Sequence, residues 1–157
     1  MPLLNSVVQW LNFKRIYQIQ LYHEHPLEIQ NEVLFSLLNS ARETEWGTAH
    51  DYDKIASHKD FQHAVPLQKY EDIKPFVDRL REGEKNLLWP GEVKWFAKSS
   101  GTTSDKSKFI PVTKESLEDC HMRGPKDVFA QFIKNYPDTK ILKGKTLTLG
   151  GSNQINK

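Results

Sequence analysis

The 157-residue sequence has a single cysteine, Cys120, so no intrachain disulfide can form and a reducing compartment is the natural setting. It has no long apolar run. Near the N-terminus Gln9, Asn12, Lys14 and Arg15 break up the apolar residues, which argues against a signal peptide and a membrane span and makes the cytoplasm the expected location. A dominant charge of one sign is also lacking. The 22 basic and 20 acidic residues leave a net +2, too weak a field to argue for nucleic acid. Metal-ligand spacing is absent as well: His23 and His25 have no cysteine or histidine companion, and they read as solvated surface residues. The Asp51/Asp53 pair lacks the glycine and terminal glutamate of a calcium loop and reads as a solvated turn. No Walker motif is present, because Thr139 stands where Gly144-Lys145-Thr146 would need its first glycine. No internal repeat or low-complexity tract is visible.

What the sequence does have is a dense run of hydroxyls and one glycine, Ser99-Ser100-Gly101-Thr102-Thr103-Ser104, between two apolar strand-like segments. Lys94, Lys98, Lys106, Lys108 and Lys114 surround it, against one acid, Asp105. Such a loop suits a polyphosphate: backbone amides approach closely at Gly101, hydroxyls donate to phosphate oxygens, and a lysine supplies charge. Read from composition alone, a Ser/Thr-rich hairpin loop without a ligand fits equally well.

Length and composition fit one soluble domain, with 38% apolar and 27% charged residues. Leu4, Val7, Val8, Leu11, Tyr17 and Leu21 recur at helical spacing and predict an amphipathic helix over 3–22, packed against the protein rather than on a membrane. A second helix is expected from His25-Pro26, with Leu27, Val33, Leu34, Leu37, Leu38 and Ala41 inward and Gly47 ending it after Trp46. A third is predicted over 70–81, led by Glu71 and Asp72 and stopped by Gly83, with Pro75 marking a break or the true first turn. Trp89-Pro90-Gly91 reads as a turn, Val93 to Ala97 as a strand, and Phe109-Ile110-Pro111-Val112 as the returning strand. Thr113 can cap a helix over 114–133, which Gly124-Pro125 divides or leaves whole. Residues 146–149 read as a buried strand running into Gly150-Gly151. The expected fold class is α/β: N-terminal helices, a β-hairpin carrying the loop, and the start of a mixed sheet. Cys120 and His121 do not make a nucleophile and base, since adjacent helix positions point about 100° apart. The four tryptophans read as core and rim packing.

Ser99-Ser100-Gly101-Thr102-Thr103, followed by Lys108 and Pro111, resembles the phosphate-loop signature of adenylate-forming enzymes. Within that superfamily the chain is most similar to the plant auxin-responsive acyl-acid amido synthetases and their bacterial relatives. The likeness also takes in Glu45-Trp46-Gly47-Thr48-Ala49-His50, Asp60-Phe61, Val65-Pro66, Tyr70-Glu71-Asp72-Ile73, Leu88-Trp89-Pro90-Gly91 and Val93-Lys94-Trp95-Phe96-Ala97-Lys98. It covers essentially the whole chain from about residue 26. Asp105 departs from the pattern, glycine being common there in the plant members.

The resemblance implies an ATP-dependent enzyme that adenylates a carboxylic acid, releases pyrophosphate, and passes the acyl group to an amine, commonly that of an amino acid. Ser99, Ser100, Thr102 and Thr103 would donate to the phosphates, Gly101 would permit close approach, and Lys108 would supply the countercharge and act in catalysis. Mg²⁺ would bridge phosphate oxygens, its carboxylate ligand lying outside this chain; no metal site is expected within it. Small-molecule acid and amine substrates are then the partners, with no nucleic acid and no membrane. Residues 1–157 would form part of an N-terminal adenylation domain, with a helical segment over 1–85 and the loop-bearing segment over 86–157. Taken alone, so short a chain looks inactive. Two competing readings stay open: an adenylating enzyme that uses a thiol such as coenzyme A in place of the amine, and a truncated, non-catalytic binding domain.

Overall fold

A computed structural model describes residues 2–99, 107–145 and 147. Along them run α1 (Pro2–Glu24), α2 (Pro26–Ala41), α3 (Glu45–Ala49), a 3-10 turn (Tyr52–Lys54), α4 (His58–Ala64), α5 (Tyr70–Arg81), β1 (Trp95–Lys98) and β2 (Phe109–Val112). The chain then continues through α6 (Lys114–Ser116), a π-helical stretch (Leu117–Met122), α7 (Arg123–Asn135) and a second 3-10 turn (Ile141–Lys143). Helices precede an antiparallel strand pair, the expected α/β order. Among the described residues the sheet is that pair alone. The strand expected at 146–149 falls outside them, except for Leu147, which is exposed and in no strand.

Helix α1 forms where periodicity predicts it, but its buried face is rotated. Val7, Leu11 and Tyr17 are exposed, whereas Asn5 is buried and Val8, Gln9, Asn12, Arg15, Ile16 and Ile19 are half-buried. The inward face is partly polar because it serves open backbone groups around the end of α7. Asn5 Nδ2 donates to the carbonyls of Pro137 and Thr139, the latter at 3.1 Å, and Gln9 Nε2 donates to Ile133 O at 3.1 Å. A helix leaves its last carbonyls without internal partners, and side chains from a neighbour can fill that need. Farther along, Arg15 holds Asp127 in a bidentate pair, Nε to Oδ1 at 2.7 Å and Nη2 to Oδ2 at 2.6 Å.

Helix α2 begins at Pro26 as expected, but it ends at Ala41, and Gly47 is not its stop signal. The chain reverses and starts α3, whose N-cap Thr44 accepts from Gly47 N at 3.0 Å while donating its hydroxyl to Ala41 O at 2.7 Å. Gly47 is needed for close approach: a Cβ there would lie 2.1 Å from the Ala41 carbonyl oxygen. Of the six residues expected to face inward on α2, Leu38 and Ala41 are buried, while Leu27, Val33 and Leu37 are exposed.

The expected bounds of α5 are those observed. Asp72 accepts from Lys69 N at 2.8 Å at its start, and Gly83, at φ +93°, ends it. Pro75 lies inside the helix on an exposed side, where the carbonyl it leaves without an amide can meet water. The next turn is closed by Asn86 at φ +57°, whose side chain accepts from Gly91 N at 2.7 Å. Leu80, Leu87 and Val93 form a buried cluster beneath this turn, with Phe76, Leu88 and Phe96 against it. Thr113 caps α6 as expected, exchanging bonds of 3.1 Å with Ser116. From there the helical path runs unbroken to Asn135. Pro125 cannot return an amide bond to residue 121, and the path widens into π-helix just upstream of it. Helix α4, not expected from the sequence, is capped by Ser57 accepting from Asp60 N at 3.2 Å.

Two outcomes follow. Gly47→Ala should lower stability by about 1–3 kcal/mol, because the clashing atom is backbone and cannot turn aside. Gly124→Ala, with open space around the new methyl in α7, should be neutral or stabilising by up to about 1 kcal/mol. Urea titration of both variants checks this, and equal stability of Gly47→Ala and wild type would refute it. The Arg15 guanidinium holds the Asp127 carboxyl below its ordinary range, chiefly by hydrogen bonding. A depressed native value means that the contribution is fully present above the unfolded pKa and is lost as pH falls through the native one. Wild type should therefore lose stability more steeply than Asp127→Asn between about pH 5 and pH 2. Parallel curves would remove the pair from the acid-sensitive contacts.

Candidate functional site

The hairpin pairs Trp95 with Val112, Phe96 with Pro111, Ala97 with Ile110 and Lys98 with Phe109. One step beyond, Ser99 and Lys108 close its loop end reciprocally. Ser99 N donates to Lys108 O at 2.9 Å, and Lys108 N donates to the Ser99 side-chain oxygen at 2.9 Å. Antiparallel pairs alternate between hydrogen-bonded and open, so Phe109 and Pro111 turn their backbone groups away from β1. Pro111, with no amide, is thus tolerated in the strand.

Of the residues expected to hold phosphate, Ser99 and Lys108 are placed at the two ends of the loop. Ser100, Gly101, Thr102 and Thr103 lie outside the described residues, as do Asp105 and Lys106. Ser99 commits its amide and one hydroxyl lone pair to the hairpin, and its hydroxyl proton remains to donate to a ligand. Lys108 is half-buried, its ammonium 5.5 Å from the centre of the Tyr70 ring. Tyr70 is the first residue of α5. Its hydroxyl accepts from Phe109 N at 3.0 Å and faces Phe109 O at 3.4 Å. From the far end of the same helix, the Arg81 guanidinium lies 4.0 Å from the centre of the Phe109 ring. The start of the returning strand is therefore gripped by α5, through the Tyr70 hydroxyl on the Phe109 backbone and the Arg81 guanidinium over the Phe109 ring. Ser99 and Lys108 thus put a hydroxyl-bearing and an ammonium-bearing residue at the two ends of the loop. Sequence reasoning assigned neither Tyr70 nor Arg81 a role; the only signal was the Tyr70-Glu71-Asp72-Ile73 run, which carries no chemistry by itself.

Other candidates separate from this site. Cys120, His121, His23 and His25 are exposed, and His25 Nδ1 meets Glu28 Oε2 at 3.1 Å. Asp51 pairs with Lys54 at 2.8 Å in an exposed turn. Among the described residues, no group of three or more His, Cys, Asp or Glu could hold a metal ion. No helix among them is long and apolar enough to cross a membrane. A cleft of about 550 Å³ beside α1 and α2 is lined by Arg15, Tyr22, Val33, Leu37 and Arg123. Its two arginines already pair with Asp127 and Asp119, so they offer an incoming anion little. Trp46 stacks on His50 at 4.1 Å and meets Phe76 edge-on, and Trp89 Nε1 donates to Glu115 Oε2 at 3.1 Å. These two are packing and tethering residues; Trp10 and Trp95 are exposed. Glu115, at the start of α6, is held below the usual carboxylate range chiefly by its own backbone amide, with help from Thr113 and Trp89.

Comparison with known proteins points one way. The family model described as GH3 family N-terminal domain matches residues 15–157. Indole-3-acetic acid-amido synthetase GH3.2 of Arabidopsis thaliana is 32% identical over 95 residues, which are 60% of this chain and 17% of that protein. Jasmonoyl–L-amino acid synthetase JAR4 of Nicotiana attenuata is 29% identical over 134 residues, covering 82% of this chain and 22% of the relative. The solved structure of GH3.15 acyl acid amido synthetase matches at a TM-score of 0.61 and 28% identity, over 69% of this chain and 19% of that one. The chain thus spans about a fifth or less of the length of these relatives.

Removing the Ser99 hydroxyl leaves the Lys108 amide without its acceptor in a half-buried position. Ser99→Ala should cost about 1 kcal/mol and speed hydrogen exchange at Lys108 N. Unchanged exchange at that amide would show that the hydroxyl does not close the loop.

Proposed function

The chain belongs to the GH3 family, and on that premise we propose that it carries the phosphate-holding loop of an ATP-dependent acyl-acid amido synthetase. The observation that carries this reading is the hairpin closure that sets Ser99 and Lys108 at the two ends of a loop rich in hydroxyls. In this reading residues 1–157 contribute a helical segment over 1–85 and a loop-bearing segment over 86–157 to an adenylation domain. A carboxylate oxygen of the acid attacks the α-phosphorus of ATP. The new O–P bond forms as the bond to the β-phosphate oxygen breaks, and pyrophosphate leaves. An amine nitrogen, on this reading that of an amino acid, then attacks the acyl carbon, loses a proton, and expels AMP.

Negative charge grows on the departing pyrophosphate in the first step, so preorganised donors there lower the barrier. Lys108 supplies a cation, and the Ser99 hydroxyl a donor beside it. Ser100, Thr102 and Thr103 add hydroxyl and amide donors, and Gly101 allows the backbone close to the phosphates. Mg²⁺ bound to the triphosphate neutralises part of its charge. Lys108 and Ser99 are held by hairpin bonds and by α5, so little reorganisation accompanies the reaction. The relatives GH3.2 and JAR4 are amido synthetases, which favours amide formation over transfer to a thiol.

In a synthetase that contains this chain, Lys108→Ala should slow carboxylate-dependent ATP–pyrophosphate exchange on the order of 100-fold. Binding of the adenine nucleotide should weaken far less, since the lost contact acts chiefly in the transition state. An unchanged exchange rate would remove Lys108 from the site.

A further inference from the structure

Tyr70 performs two tasks with one side chain, and neither is explained by packing. Its hydroxyl meets the outward-turned backbone of Phe109, bonding Phe109 N at 3.0 Å where a third strand would otherwise be needed. Its ring lies 5.5 Å from the Lys108 ammonium, within the range of a cation–π contact. One residue thus fixes both the backbone that follows the loop and the charge that ends it. A lysine has a flexible four-carbon stem, so an uncommitted one reaches a given phosphate oxygen only in a minority of its rotamers. A ring beneath it narrows that set.

We propose that Tyr70 is a positioning residue for the anion site: through its hydroxyl it sets the height of β2, and through its ring it holds Lys108 in the orientation that meets phosphate. The role rests on the phosphate-loop reading given above, yet the Tyr70–Lys108 contact can be measured without any ligand. Tyr70→Phe and Tyr70→Leu separate the two tasks, because the first keeps the ring and the second removes both ring and hydroxyl.

The test uses the 157-residue chain with ¹³C-labelled lysine, and inorganic pyrophosphate with Mg²⁺ as the probe. The Lys108 ε-methylene signal, assigned by its loss in Lys108→Ala, should be displaced upfield by the ring in wild type and in Tyr70→Phe. In Tyr70→Leu it should return to the ordinary lysine position. Hydrogen exchange at Phe109 N should quicken in both Tyr70 variants. Pyrophosphate binding should weaken about two- to fivefold in Tyr70→Leu, the scale of an exposed cation–π contact. In a Lys108→Ala background the same substitution should have little further effect, as a double-mutant cycle requires of a residue acting through Lys108. Equal weakening in both backgrounds would make Tyr70 merely structural and overturn the proposal. An undisplaced Lys108 signal in wild type would overturn it whatever the probe does. A displaced signal together with no response of wild type to pyrophosphate would instead sink the phosphate-loop reading, and this role with it.

Discussion

Two backbone hydrogen bonds set the frame on which the rest of the structure depends: Glu45 N to Asn86 O and Trp46 N to Leu87 O, both 2.9 Å. They join the open amide end of α3 to the segment that leads into β1. A helix start has amides without internal partners, and here a loop's carbonyls satisfy them. Arg79 of α5 reinforces the joint by holding the Glu45 carboxylate at 2.7–2.8 Å through two nitrogens and by reaching Glu84 as well. Glu45 and Glu84 are both held below the usual carboxylate range chiefly by that guanidinium. Leu80 and Leu87 are buried beneath. Because α5 carries the contacts to Phe109, the joint also determines where the hairpin stands relative to Tyr70 and Arg81.

What could be read from the sequence was local chemistry. The bounds of α5, the Thr113 cap, the Trp89-Pro90-Gly91 turn and the returning strand each follow from neighbouring residues whose preferences agree with the fold. The buried side of α1 was not legible, since Asn5, Gln9 and Arg15 face inward to satisfy partners more than 110 positions away. Nor was Gly47, a usual sign of a helix end, whose lack of a side chain here answers to the carbonyl of Ala41. At the site, Ser99 and Lys108 stood out through the company they keep in the chain. Tyr70 did not, because its contacts to Lys108 and Phe109 cross nearly forty positions.

The misread face of α1 has a counterpart on the surface. Trp10, Phe13 and Leu11 on α1, Leu27 on α2 and Val128 on α7 are each at least 66% exposed. An apolar stripe at helical spacing normally marks the inward face, which is why periodicity misleads at α1. Here Val7, Leu11 and Tyr17 of the stripe are exposed while Val8 and Leu21 are half-buried, and polar residues make the specific contacts. Hydrophobic patterning reports where burial is favourable, and for Trp10, Leu11 and Phe13 no described residue provides it.

The same division of labour governs the loop. Residues 100–106 contain no apolar side chain, and Ser99 and Lys108 flank them at two ends. Those ends are over-determined. Ser99 and Lys108 bond each other in both directions, Tyr70 bonds the outward amide of Phe109, and Thr113 locks the next helix one residue after β2 ends. In the reading proposed above, the small hydroxyl residues and glycine of the intervening sequence would supply donors with little bulk. In the phosphate-loop reading proposed above, a rigid base would keep Ser99 and Lys108 in place as charge develops on the leaving group. Tyr70, which is outside the loop, would act in that reading through the backbone of Phe109 and the side chain of Lys108, the two contacts by which α5 reaches the end of the hairpin.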